Sequence, residues 1–313
     1  MHRCIRLTTV TTIAALCCLC VACGTQERRT GLAELAPLPI HAGTSLWIDT
    51  DPVSRPNQTA DIDDVLAVRM ILASGIRIEG ISTTHGNGSA EETWQSAVTE
   101  FETMPLHRGQ PAAGCVNPAV AGLATVLHAT AVTILALGPL TNIAQLLACH
   151  PRLGSRIVRI VAVAGRHPGE RFRLGGGSTG IELRDLNYET DRAAFRAVLT
   201  SGVPVDLVPF AAGNRVRLTY DDLDGMPERL RDRAWSWALI LWFAGGGGTL
   251  PAFDQTAAGL LLWPGLYGFE PVIAEAGQDL ILRPDRGTGR ATLRRCLPRD
   301  APQLKQRIRR LQS

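Results

Sequence analysis

The 313-residue sequence predicts an α/β fold, an open, mostly parallel sheet flanked by helices in a single domain. Two observations carry this expectation. Short apolar runs rich in β-branched residues alternate with stretches of helical period, and acidic and small polar residues collect where the apolar runs end. The first strand is expected at 46–48, followed after a polar insert by a helix at 62–74. A strand at 76–81 and a helix at 90–102 come next, then a strand at 132–137 with a helix at 140–148. A strand at 157–163, a helix at 191–200 and a strand at 203–208 continue the alternation. Helical period returns at 227–243 and at 254–262, on either side of the Gly-rich stretch 245–248. From Pro271 the chain reads as short strands closed by a basic helix. Strand-helix-strand order makes neighbouring strands parallel, because each helical crossover returns the chain to the same end of the sheet.

Composition narrows the function. With 45% hydrophobic and 19% charged residues the chain can build a large core, which excludes a disordered or collagen-like protein. Net charge is +3, but the 32 basic residues are scattered and include one lysine, Lys305, so no nucleic acid partner is expected. Residues 1–23 read as a signal peptide, with His2, Arg3 and Arg6 before an uncharged apolar run too short for a permanent membrane span. The run ends Leu19-Cys20-Val21-Ala22-Cys23, close to a bacterial lipobox. The expectation is therefore export to the cell envelope, a lipid anchor at Cys23 as the one membrane contact, a tether at 24–43 and a domain over 44–313. Five of the eight cysteines lie in the leader; Cys115, Cys149 and Cys296 remain, so at most one disulfide can form in the domain.

In parallel sheets chemistry gathers at the carboxyl ends of strands. Asp49-Thr50-Asp51-Pro52 follows the first strand, and Asp61-Ile62-Asp63-Asp64 opens the first helix. Thr84-His85-Gly86-Asn87 follows the second strand, and Gly138-Pro139-Leu140-Thr141-Asn142 follows the third. So many carboxylates at one strand end repel one another, and a hard cation held by oxygens would relieve them. An isolated Asp at a helix start is more often only a cap, so Asp61 or Asp63 alone would carry no such argument.

Taken together these segments, with Asp185-Leu186-Asn187, Asp191 and Phe253-Asp254-Gln255-Thr256-Ala257-Ala258, resemble the inosine-uridine nucleoside hydrolase family over residues 45–275. The resemblance implies a nucleoside hydrolase-like open sheet and a calcium-dependent enzyme that hydrolyses the N-glycosidic bond of a small-molecule nucleoside. It implies Ca2+ on Asp51, Asp64, Asp254 and the carbonyl of Leu137, with Asp63 as general base toward the bound water. It also implies substrate contacts from Asn87, Asp185 and Asn187. Family members often assemble as homo-oligomers.

Three departures from the family pattern carry information. Ten residues, 53–62, separate Pro52 from Asp63 where two are usual; a loop extended toward the mouth of the site is the expected result, because lengthening a loop costs little entropy. Asp185 stands where Glu is common, one methylene shorter. Phe253 stands where His is often found; a phenyl ring cannot donate a proton, but it can stack on a base, as in the purine-specific branch of the family, so a purine is favoured. Trp94, Tyr188, Trp242 and Trp263 are candidate second faces. His85, His128 and His167 read as structural or surface residues, and the Trp235, Trp237 and Trp242 group as core. Residues 46–53 also match the opening motif of haloacid-dehalogenase-type phosphatases, but those enzymes need a cationic side chain, normally lysine though arginine could serve, near the phosphoryl group and a later acidic pair after another strand; here the one lysine is in the C-terminal tail and the acidic pair comes too early. A non-catalytic nucleoside-binding lipoprotein is the other alternative, since a fold does not guarantee chemistry.

Overall fold

The computed structural model describes residues 45–54, 62–174, 181–223, 228, 249–287 and 292–312. The leader, the tether, the insert residues 55–61, Gly175–Gly177 and the Trp235, Trp237 and Trp242 group lie outside them. The described residues belong to one unit, Pro37–Ser313.

The unit is a single domain built on a nine-stranded sheet. Its parallel part comprises β1 (Ser45–Thr50), β2 (Ile78–Thr83), β3 (Leu106–His107), β4 (Val132–Ala136), β5 (Ile157–Val163) and β8 (Val205–Val208). Short strands β6 (Arg173–Leu174), β7 (Ile181–Glu182), β9 (Arg217–Leu218) and β10 (Leu250–Pro251) form two small ribbons apart from it. The C-terminal strands are β11 (Tyr267–Ala276), β12 (Leu280–Pro284) and β13 (Leu293–Pro298). β13 pairs parallel with β8, and β11 pairs antiparallel with both β13 and β12. The spatial order is β12-β11-β13-β8-β5-β4-β1-β2-β3. β1 is therefore the pivot: the chain builds outward to β2 and β3, then returns to place β4 on the opposite side. Connections leaving β1 and β4 diverge, which opens a crevice at their carboxyl ends.

Helices cover both faces. α1 (Asp63–Ala73), α8 (Phe253–Leu262) and the terminal α9 (Ala301–Gln312) pack on one face, where Leu66, Met70, Ile71, Ala257, Ala258, Leu304 and Ile308 are buried together. α3 (Pro118–Ala129), α4 (Thr141–Cys149) and α6 (Arg192–Leu199) cover the other with Leu123, Leu127, Ile143, Leu146, Phe195 and Val198. With both faces covered, β1 and β4 are buried at every position, as strands of a parallel sheet must be. α2 (Ala90–Phe101) begins with a full capping box between Ser89 and Glu92. Short helices α5 (Leu186–Thr190) and α7 (Phe210–Arg215) sit at strand ends.

The expected elements that fall among the described residues are present with small shifts, and several short elements join them. β2 begins two residues late because Ser74 caps α1 and Gly75, at φ +74°, turns the chain before Ile78. α3 was not anticipated: its core positions Val120, Leu123, Ala124 and Leu127 do repeat at helical spacing, but Ala and Val on the other positions hide the period. The expected helix at 227–243 lies outside the described residues.

Two cross-links brace the sheet. Asp206 in β8 accepts from Arg294 of β13 at 2.6 and 2.7 Å and from Arg159 of β5 at 2.6 Å, tying three strands through a buried carboxylate. Cys115 and Cys149 form a disulfide with Cα atoms 5.6 Å apart, while Cys296 is a buried free thiol. This bond joins the 3-10 turn Pro111–Val116 to the end of α4, alongside hydrogen bonds from Asn117 to Gln145 and from Gln145 to the Pro111 carbonyl. Because it closes a loop spanning 34 positions, removing both thiols as Cys115→Ser with Cys149→Ser is expected to lower unfolding free energy by about 3 to 4 kcal/mol. A denaturant titration showing no loss would mean that the turn is held by the hydrogen bonds alone.

Candidate metal centre and active site

The N-termini of α1 and α8 lie side by side because the two helices pack along each other on the same face of the sheet. α1 carries Asp63 and Asp64 in its first turn, and α8 carries Asp254 in its first turn. One carboxylate oxygen from each of the three lies within 4.8 Å of the others, although about 190 residues separate the last from the first two in sequence. Asp64 and Asp254 are buried. At an effective dielectric near 20, unit charges this close repel by about 3 kcal/mol per pair. Helix N-terminal amides offset part of that, and an oxygen-ligated cation would offset more. The donors are all carboxylate oxygens, which suits a hard divalent ion rather than a soft one.

Asp51 stands beside this trio at the end of β1. Its main-chain N–H donates to Asp64 Oδ1 at 3.1 Å, and Thr50 donates its hydroxyl to the same oxygen. Asn87 couples the two acids: its side-chain amide donates to Asp64 Oδ2 at 3.0 Å and its main-chain N–H to Asp51 Oδ2 at 2.8 Å. The Asp51 carboxylate is walled by backbone. A Cβ on Gly138 would lie 2.5 Å from Asp51 Oδ1, and one on Gly86 would overlap Asp51 Oδ2. Only glycine fits at those two points, so the residues after β2 and β4 form a cradle for Asp51.

A second layer fixes the cradle. Asn142, at the start of α4, donates to Asp49 Oδ1 at 2.8 Å and to the Thr83 carbonyl at 2.9 Å, and accepts from Asn117 at 2.9 Å. Ser82 donates to Asp49 Oδ1 at 2.5 Å and accepts from Trp47 Nε1 at 2.8 Å. Burial pushes the Asp49 carboxyl up to about 6, against the pull of Ser82 and Asn142. Asp49 is thus a strut joining β1, β2 and α4 rather than a group aimed at the crevice. Ser82 and Asn117 were not singled out from the sequence; their contacts are made across 33 and 25 positions, and no local pattern marks them.

The remaining predicted residues divide by surroundings. Asn187 donates to the carbonyls of Leu137 at 2.6 Å and Val163 at 3.0 Å. Asp185 caps α5, accepting from the Tyr188 N–H at 3.1 Å and from the Gly165 N–H at 2.6 Å. Its carboxyl is pushed up to about 6, chiefly by burial. Phe253 is half-buried and stacks on Phe172 and Phe210, with ring centroids 5.6 and 5.5 Å away. Of the candidate second faces, Tyr188 is engaged edge-on with Phe195 and Trp263 lies under Arg307, while Trp242 lies outside the described residues. Phe172 and Phe210 were missed because neither lies near Phe253 in sequence. Val53 and Ile62, the ends of the insert, are both buried, and Ser54 donates its main-chain N–H to Ser96. Exposed His128 ends α3, and His167 bonds within its own loop.

Fold and site together define a doubly wound α/β protein with a carboxylate centre, able to hold a metal ion, at the point where the strand order reverses. The sequence profile described as inosine-uridine preferring nucleoside hydrolase matches residues 46–288, and the chain belongs to that family of N-glycosyl hydrolases. A non-specific ribonucleoside hydrolase, RihC, of Shigella boydii is 26% identical over 263 residues, covering 72% of this chain and 81% of its own length. An uncharacterised protein of Schizosaccharomyces pombe is 27% identical over 281 residues, covering 71% and 77%. Among solved structures, the purine-preferring ribonucleoside hydrolase of Gardnerella vaginalis superposes with a TM-score of 0.70 at 18% identity, covering 86% of this chain and 99% of its own. The plant nucleoside hydrolase PpNRh1 gives 0.69 at 17%, covering 86% and 98%. At such identities the structural likeness speaks for the fold.

Gly138→Ala tests the cradle. The added methyl would sit 2.5 Å from Asp51 Oδ1 and 2.9 Å from Thr84 Cγ2, and the displacement is expected to cost about 1 to 3 kcal/mol of stability. Thermal melts with and without added calcium should show both a lower Tm and a smaller calcium-induced rise. A variant matching the parent on both counts would mean that Asp51 does not need the cradle.

Proposed function

We propose that this protein is a calcium-dependent ribonucleoside hydrolase that leans toward purines. The observation that carries the reading is the meeting of Asp63, Asp64 and Asp254 at two packed helix N-termini, with Asp51 held next to Asp64. In this reading Asp51, Asp64, Asp254 and the Leu137 carbonyl would hold Ca2+, which when bound would supply a water of lowered pKa and a template for the ribose hydroxyls. Asp63 would act as the general base toward the attacking water, since it belongs to the same trio yet is less buried than Asp64. Asn87 borders the ribose, and the electron-rich carboxylates favour the positive charge that develops on the sugar as the N-glycosidic bond breaks.

Phe253 supports the purine preference. Its ring is already aligned by Phe172 and Phe210, and an aligned, half-exposed phenyl is suited to stacking on a large flat base. The phosphatase alternative finds no support, because Lys305, the one lysine, lies in α9 bound to Asp222 at 2.6 Å. Export with a lipid anchor at Cys23 remains our reading of the leader; the Cys115–Cys149 disulfide supports it, since such bonds persist in oxidising compartments.

The experiment is to incubate the mature protein with inosine, adenosine, guanosine and uridine, with calcium or with chelator, and to measure free ribose. Calcium-dependent release, faster from the purines, is the expected result; saturable binding without release would leave a nucleoside-binding protein instead. Asp63→Asn should keep calcium binding and lose turnover by about 100-fold or more, and near-normal turnover would remove Asp63 from the base role. Phe253→Ala should raise KM for inosine more than for uridine; an equal effect on both would assign the ring to packing.

A further inference from the structure

We infer that Asp185 and Asn187 are positioning residues that present the Leu137 carbonyl to the metal centre, with Asp185 acting through the backbone of Gly165 and Tyr188 rather than on the ribose. The inference rests on the proposed role of Leu137 as a metal ligand and adds to it the device that aims the carbonyl.

The device is built from three anchors around the short helix α5. Asp185 Oδ2 accepts from the Gly165 N–H at 2.6 Å, just beyond the end of β5, and Oδ1 accepts from the Tyr188 N–H at 3.1 Å. Both oxygens of the carboxylate are therefore directed at main-chain amides. Its shortness explains this choice, since an Asp side chain reaches its own helix start and the adjoining loop, where a Glu would overshoot. Tyr188 pins the helix from beneath: it is buried, meets Phe195 edge-on, and donates its hydroxyl to the Gly277 carbonyl at 2.7 Å.

Asn187 is the output of this arrangement. Its side-chain amide has two hydrogens, and it donates to the Leu137 carbonyl at 2.6 Å and the Val163 carbonyl at 3.0 Å. These carbonyls belong to the residue after β4 and the last residue of β5, so one amide spans the ends of two neighbouring strands. The Leu137 N–H is meanwhile held by the Asp49 carbonyl at 2.8 Å. With its amide fixed on β1 and its carbonyl fixed by Asn187, the Leu137 residue cannot rotate. A carbonyl oxygen has two lone pairs; Asn187 takes one, and in the inferred arrangement the other would face the ion. Residues that orient a ligand in this way commonly contribute 10- to 100-fold to metal affinity.

A ribose contact and a positioning residue differ in what their loss changes. The mature protein and its Asp185→Ala, Asp185→Asn and Asp185→Glu variants would be titrated with calcium alone by calorimetry, then assayed for KM and kcat with inosine at saturating calcium. Asp185→Ala is expected to weaken calcium binding by about 10-fold or more while KM at saturating calcium stays within about twofold. Asp185→Asn, which keeps one cap oxygen and carries the test if the alanine variant does not fold, should fall between. Asp185→Glu should not recover the parent's affinity. Unchanged calcium affinity overturns the inference, whether or not KM moves, and so does a KM at saturating calcium raised 10-fold or lowered by Glu. A parent protein that binds calcium but releases no ribose from any nucleoside would refute the proposed activity while leaving the positioning role to the calorimetric result. A parent that binds no calcium would refute both.

Discussion

Repulsion among three carboxylates is the constraint around which this protein is organised. Asp63, Asp64 and Asp254 could each sit comfortably at a helix start alone. Brought within 4.8 Å of one another, their like charges repel, and the packing behind them fixes that arrangement. It does so with apolar packing: α1 and α8 bury Leu66, Met70, Ile71, Ala257 and Ala258 in one shared core, and the carboxylates at their ends follow from where those side chains fit. The acidic centre is thus maintained by the hydrophobic contacts behind it, and its oxygens suit a divalent cation.

The loops on the other side of the crevice serve the same end by different means. Here the placement is done by glycine and by side-chain amides. Gly86 and Gly138 allow the backbone to close around Asp51, while Asn87, Asn142 and Asn187 each bridge groups that come from separate strands or from a strand and a helix. An amide can donate twice without adding charge, which matters beside carboxylates that already repel. Acidic residues hold the place for the ion, and neutral amides hold the acidic residues.

The family's general plan is kept, and the local departures are absorbed without disturbing it. Asp185, shorter than the usual Glu, satisfies two backbone amides. Phe253, in place of a proton donor, joins Phe172 and Phe210. The insert between Pro52 and Asp63 leaves both its ends in the core, at Val53 and Ile62. The carboxylate centre of Asp63, Asp64 and Asp254 stands alongside all three departures.

By itself the sequence determined the alternation of strands and helices, the parallel sheet, and the acidic residues at strand ends, because those depend on local periodicity and on residues close together in the chain. Asp63 and Asp64 were legible for that reason. The helix α3 was less so, since a helix apolar on most sides loses its period. Asp254 was tied to Asp64 only through the family resemblance, and the packing of α1 on α8 is what brings it within reach of Asp63 and Asp64. What only the tertiary structure decided was partnership: that Cys115 rather than Cys296 pairs with Cys149, that Phe172 and Phe210 align Phe253, and that the Asp185 carboxylate turns to Gly165. These are contacts between distant segments, set by how helices pack across a sheet whose strand order reverses at β1. No short stretch of chain contains that information, because side chains meet there only after the core behind them has closed.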